Sequence, residues 1–337
     1  MLVTGFSSSG KSLDTYRYYE SMSLILSSPV ATFRYCSNQT VKVHHMKFRK
    51  DIAFALAFVA VSIVFSSVMA LLLELSDRTK LPLGDGKFSS SPKMGYVFSC
   101  NTRFRPGGAF KDGAWIKSDG TFDATQKAVV DGNVIWKNAK LEMTLDKNSL
   151  KITGNDLPNH STGTFPISAS DDAFAYDRNP NAIAVQMLEF RLPANTKLAT
   201  LASCVGMGAI GALLSGSLLF NALDEGGRDA VAHETQDACE GHPEQRGAYH
   251  YHNVSSCVLK QTGESGLVGY ALDGFGIFGP REAGKLLTNS DLDECHGHNS
   301  EVLWNGKKVE MYHYHATLEF PYTIGCFKGT PIVTRGR

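Results

Sequence analysis

The apolar and polar positions along the chain fall into three regimes. From Ile52 to Leu73 there are 22 residues without a charge, enough to cross a hydrocarbon core of about 30 Å. Lys42, Lys47, Arg49 and Lys50 precede this run, whereas only Arg78 and Lys80 follow closely, mixed with Glu74 and Asp77. That bias predicts a transmembrane signal-anchor over 52–75 with residues 1–51 in the cytosol and the remainder outside. A cleaved signal peptide fits as well: Met46-Lys-Phe-Arg-Lys50 reads as a start with a basic leader, and Val68-Met-Ala70 as a cleavage site. Residues 1–45 would then be a gene-model extension. Either way the rest enters the secretory pathway, as a secreted or single-pass type II membrane protein.

After a Pro-, Gly- and Ser-rich stretch that reads as a linker over 76–94, short β-type runs succeed one another, among them Val129 to Trp136, Lys140 to Leu145 and Val185 to Leu192. Turn residues separate them, and no amphipathic helix of useful length intervenes. The pattern predicts a mostly β, antiparallel, sandwich-like domain over 95–332. The apolar segment Leu198 to Leu223 could pass for a second span. Its four glycines and the Ser215-Gly-Ser217 interruption instead predict a β-hairpin.

That hairpin recurs. Ile210 to Phe220 aligns without gaps on Val268 to Phe278, and the motifs C-terminal to each hairpin repeat in order. The first copy, about 208–257, continues through Asp237, Cys239, Gly241-His242, Tyr249-His-Tyr-His252 and Cys257. The second, about 266–326, continues through Asp293, Cys295, Gly297-His298, Tyr312-His-Tyr-His315 and Cys326. Four ordered matches imply an internal duplication with pseudo-twofold symmetry.

On an extended strand alternate side chains share a face, so the two histidines of each motif point one way and the two tyrosines the other. Their Cα atoms lie about 6.6 Å apart, a spacing from which two imidazoles converge on one ion. The expected ligands are His250, His252, His313 and His315, with His242, His298, Asp237 and Asp293 as further candidates. Copper and zinc suit imidazole donors. The pattern leaves open one shared site or two. It also leaves open a metal-free module whose tyrosines stack on a glycan, a small molecule or a protein, and a purely structural core.

Of seven cysteines Cys36 precedes the apolar run. The six beyond it, in an exported domain, read as disulfides. The duplication favours Cys239 with Cys257 and Cys295 with Cys326, leaving Cys100 for Cys204; a cross-copy pairing stays open. Asn159-His160-Ser161 and Asn253-Val-Ser255 are glycosylation sequons, and His160 is a further candidate to approach the site.

Lys plus Arg equal Asp plus Glu at 33 each, so no net field draws the chain to nucleic acid. There is no Ser-centred nucleophile elbow and no His-Glu-x-x-His sequence. Gly5 to Ser12 fits the phosphate-loop pattern, but only four residues precede it, too few for the buried strand such a loop needs.

With Leu157-Pro-Asn-His-Ser-Thr-Gly163, Tyr176-Asp-Arg-Asn-Pro180, Ala222-Leu-Asp224, Gly247-Ala-Tyr-His-Tyr-His252, Leu272-Asp-Gly274 and Pro321-Tyr-Thr-Ile-Gly-Cys326, the chain resembles the YHYH domain family from roughly Gly95 to Pro331. The resemblance implies an exported domain and no particular reaction. The chain departs from the expected pattern at Ser215-Gly-Ser217, where an Asn-Gly type of turn would be expected.

Overall fold

Leu188, Phe190 and Leu192 are buried while Glu189 and Arg191 are exposed, the period-two signature of a strand with one wet face. In the computed structural model, which describes residues 78–333, they form one edge of a three-stranded antiparallel sheet: β1 (Leu141–Leu145), β2 (Ser149–Gly154) and β3 (Leu188–Pro193). Its inner face, with Leu150 and Ile152, shares one core with the main sheet, including Ile210, Leu213, Leu219, Ile277 and the four motif tyrosines.

The main sheet has eight strands. The hairpin β4 (Ala209–Leu213) and β5 (Leu218–Phe220) belongs to the first copy, with the strands β6 (Gly241–Pro243) and β7 (Tyr249–Tyr251). The hairpin β8 (Leu267–Ala271) and β9 (Gly276–Phe278) belongs to the second, with β10 (Gly297–Trp304) and β11 (Lys307–His315). Their spatial order is β6-β7-β5-β4-β8-β9-β11-β10. Outward from the central antiparallel pair β4 and β8, each half therefore repeats the same sequence of neighbours. The duplication is thus a pseudo-twofold symmetric sheet.

Pairing is antiparallel except at two symmetric joints, where β5 runs parallel to β7 and β9 parallel to β11. The first copy reaches its parallel joint through a one-turn helix, α1 (Ala230–His233), capped by Asp229, whose carboxylate accepts from Val231 and Ala232 N–H. After β7 comes α2 (Ser256–Thr262). The Ser215-Gly216-Ser217 segment is a hairpin turn, with Gly216 at φ +100° and its N–H donating to Leu213; only glycine adopts that conformation without strain. Among the described residues no helix is long and apolar enough to cross a membrane.

All three disulfides join the expected partners: Cys239 with Cys257, Cys295 with Cys326, and Cys100 with Cys204. Two expectations change. Of the run Val129 to Trp136 only Val129–Val130 is a strand, paired in parallel with Gln236–Asp237, because Gly132 at φ +140° turns the chain. From Arg78 onward the stretch expected as a linker belongs to the packed unit. Leu81 lies in the core and pairs with Phe122, and Gly84 donates to Asp229 at 2.9 Å. A Cβ on Gly84 would lie 2.1 Å from the Phe320 ring, so the glycine serves close packing rather than flexibility. The segment 1–51, the apolar run 52–75, Cys36 and the phosphate-loop pattern lie outside the described residues.

Candidate metal centres

The register of the outer strands brings three imidazoles together in each copy. His242 on β6 stands directly opposite His250 on β7, and His298 on β10 opposite His313 on β11. Each Gly-His pair therefore delivers its histidine to the face that already carries the His-x-His pair. The glycine is required because a Cβ on Gly241 would meet the Tyr249 ring at 2.3 Å, and one on Gly297 the Tyr312 hydroxyl at 2.4 Å.

Hydrogen bonding fixes the tautomers. The Nδ1–H groups of His250 and His252 donate to the carbonyls of Ala248 and Asn221, at 3.2 and 2.5 Å. Those of His313 and His315 donate to Met311 and Gly279, at 3.0 and 2.8 Å. A carbonyl can only accept, so each Nδ1 holds the proton and each Nε2 presents a lone pair. These lone pairs face each other, His250 to His252 at 3.1 Å and His313 to His315 at 2.9 Å. A second proton would relieve the repulsion, but burial opposes it. Burial pushes His250 and His242 well below the ordinary histidine range, His313 below it, and His315 down to about 4.

Each centre adds a glutamate. Glu234, at the end of α1, places Oε2 3.3 Å from His252 Nε2 and 3.6 Å from His242 Nε2. Glu282 places Oε2 3.3 Å from His298 Nε2 and Oε1 4.0 Å from His313 Nε2. Partial burial works to raise the Glu282 carboxyl, but the Ser300 hydroxyl donating to it and the His298 imidazole beside it hold it below its usual range. Several donor atoms have no hydrogen bond although buried: both ring nitrogens of His242, Glu234 Oε2 and His298 Nε2. The donor atoms of Glu282, His298, His313 and His315 all lie within 4.8 Å of one another, as do those of His242, His250 and His252.

The two glutamates were not visible in the sequence pattern. They occupy non-equivalent positions, 14 and 4 residues after the aligned Phe220 and Phe278, so the repeat does not point to them. Conversely, Asp237 and Asp293 join the tyrosines rather than the histidines. Asp237 accepts from the Tyr249 hydroxyl at 3.0 Å and from the N–H groups of Gly163, Cys239 and Gly241. Asp293 accepts from Tyr312, Cys295 and Gly297. The second tyrosine of each motif donates to equivalent turn positions, Tyr251 to Ser215 at 3.0 Å and Tyr314 to Asp273 at 2.6 Å. This explains the unusual Ser-Gly-Ser turn, in which a hydroxyl performs the carboxylate's task.

His160 reaches this opposite face too, with Nε2 2.6 Å from the Tyr251 hydroxyl. It also lies near Cys239 and Cys257, whose sulfurs are engaged in their disulfide. All four motif tyrosines are buried, so they present no aromatic surface to a glycan or partner. Of the sequon asparagines, Asn159 is exposed with its amide paired to Gln261, whereas Asn253 is half-buried.

Residues 189–288 match the family described as YHYH protein. The match runs from β3 through the first Tyr-His-Tyr-His strand and includes Glu282, a shorter span than Gly95 to Pro331. No curated protein and no solved structure matches the chain.

Proposed function

We propose that this is an exported metal-binding protein in which each copy of the repeat holds one first-row transition ion, zinc or copper, with three imidazoles and a glutamate. The first centre is His242, His250, His252 and Glu234; the second is His298, His313, His315 and Glu282. Along the sheet β7 and β11 are five strand steps apart, about 24 Å, so the ions act as separate centres.

The observation that carries this reading is the pair of Nε2 lone pairs held face to face in both copies, at 3.1 and 2.9 Å, by Nδ1–H groups committed to carbonyls. A cation between two such neutral acceptors would replace their repulsion by coordination. At metal–nitrogen bonds of about 2.0–2.1 Å, neighbouring ligands of a tetrahedral ion stand about 3.3 Å apart. Carbonyl partners on the far ring nitrogens are the usual means of orienting metal-bound histidines. The tyrosine half of each motif serves as the rigid support. Export is part of the proposal, supported by three disulfides in the domain and by the apolar run 52–73, which would anchor the chain to a membrane unless cleaved.

An ion so held is a Lewis acid once one donor gives way to a substrate or water. The glutamate, which lies outside the eight-stranded sheet in both copies, would be the donor to do so. X-ray absorption of the loaded protein tests the ligand set. A first shell of nitrogen and oxygen with imidazole scattering and no sulfur is expected. Sulfur in the shell, or oxygen alone, would sink the assignment.

A further inference from the structure

The two centres share a donor set and differ in surroundings. The first lines a cleft of about 1170 Å³, far larger than an ion needs and comparable to pockets that hold small molecules. No residue of the second centre lines it. Arg103, Arg105 and Arg178 are in the cleft wall with Phe104 and Phe110. All three arginines are exposed, and none forms an ion pair among the described residues.

The carboxylates of the same cleft are mostly committed. Asp224 is paired with Arg228 at 2.7 Å. Asp177 accepts from the N–H groups of Asn179 and Thr235, and Glu244 from those of Arg246 and Ala248. Glu234 belongs to the metal centre, which leaves Glu225 as the carboxylate of this lining with no polar partner for its side chain among the described residues, while the three guanidinium groups stand without an anionic partner. Arg178 is also positioned, its guanidinium 4.5 Å over the Phe110 ring and 5.4 Å from that of Phe174. Such stacking holds the fork of donors that carboxylates and phosphates accept.

We propose that the cleft at the first centre binds an organic oxyanion, a carboxylate or phosphate on an aromatic or apolar body. The arginines neutralise its charge, the phenylalanines take its body, and an oxygen of the ligand reaches the ion held by His242, His250 and His252. This inference rests on the metal reading above and assigns the substrate-binding role to one of the two centres.

Calorimetric titration of the full, metal-loaded chain with phenyl phosphate, benzoate and neutral benzyl alcohol tests it, with metal counted in the same samples. One equivalent of phenyl phosphate or benzoate should bind, and whichever binds names the oxyanion; benzyl alcohol should not. Affinity should fall ~10-fold or more in the Arg103→Ala/Arg105→Ala variant, whose exposed positions leave the fold intact, and in Arg178→Lys, which keeps the charge but loses the fork. Both variants should retain their metal. Fully loaded protein that binds neither anion, or binds them equally well in the arginine variants, overturns the inference and leaves the metal reading standing. Protein that takes up no metal overturns both, and the metal count distinguishes the two failures.

Discussion

At the residue scale, alternation along one strand separates two tasks. In Tyr249-His-Tyr-His252 the tyrosines face the core and satisfy buried carboxylate and hydroxyl groups, while the histidines face the other way, His250 toward His242 and His252 toward Glu234. Tyr249→Phe removes a buried donor from Asp237, so it should lower stability by about 1–3 kcal/mol in denaturant melts with the metal count unchanged. Loss of metal in that variant would contradict the separation. Asp229 carries a distinct pH signature. Burial pushes its carboxyl up to about 6 from 3.8, although Tyr322, Gly84 and Ala232 all donate to it. Between about pH 4 and 6 the folded state therefore holds a proton that the unfolded chain has released. Stability contributed by this group is present below that window and lost as pH rises through it. Melts in chelator at pH 4 and pH 6.5 should show Asp229→Asn losing part of the decline seen in the unsubstituted chain; an identical slope would refute the assignment. The histidine face was legible in the His-x-His spacing. The roles of Asp237 and Asp293 were not, because proximity in sequence does not say which side of a strand a neighbouring loop reaches.

At the scale of elements, the Asp-x-Cys-x-Gly-His loop does three things at once. Its aspartate receives the first tyrosine, its glycine makes room for that ring, and its histidine crosses to the face that carries the His-x-His pair. Gly241→Ala should destabilise the protein by about 1–3 kcal/mol, since the added carbon would lie 2.3 Å from the Tyr249 ring, and should displace His242 from its register opposite His250. A normal melt with full metal content would count against this reading. The Cys239–Cys257 bridge closes the loop around β6 and β7; replacing both cysteines by serine should cost about 3 kcal/mol, read in the same melts. The duplication made this bridge and its counterpart predictable, and the glycine-marked turn made the hairpin predictable. The parallel joints β5–β7 and β9–β11 escaped, because a short apolar strand carries no mark of its neighbour's direction.

At the scale of the molecule, the duplication builds one continuous sheet whose outer strands carry the histidine clusters far from the pseudo-axis. That placement answers a question the repeat alone leaves open, since four histidines could equally have met at the centre. The halves share tautomer-fixing carbonyls at Asn221 and Gly279, which are equivalent positions after the two hairpins. They differ in the segments that supply Glu234 and Glu282, a helix end and a short strand, and in the arginine-lined cleft beside the first centre. Repeated positions were therefore readable from self-comparison of the sequence, and unique loop positions only from the fold. The central claim is one ion per copy, and it is tested most directly by elemental analysis of the full chain produced through an oxidising secretory pathway. Two equivalents of zinc or copper are expected in the unsubstituted protein, one in His250→Ala or His313→Ala, and none in the double variant. Folded protein that stays empty after incubation with zinc, copper and iron, or a double variant that keeps its metal, would contradict the account.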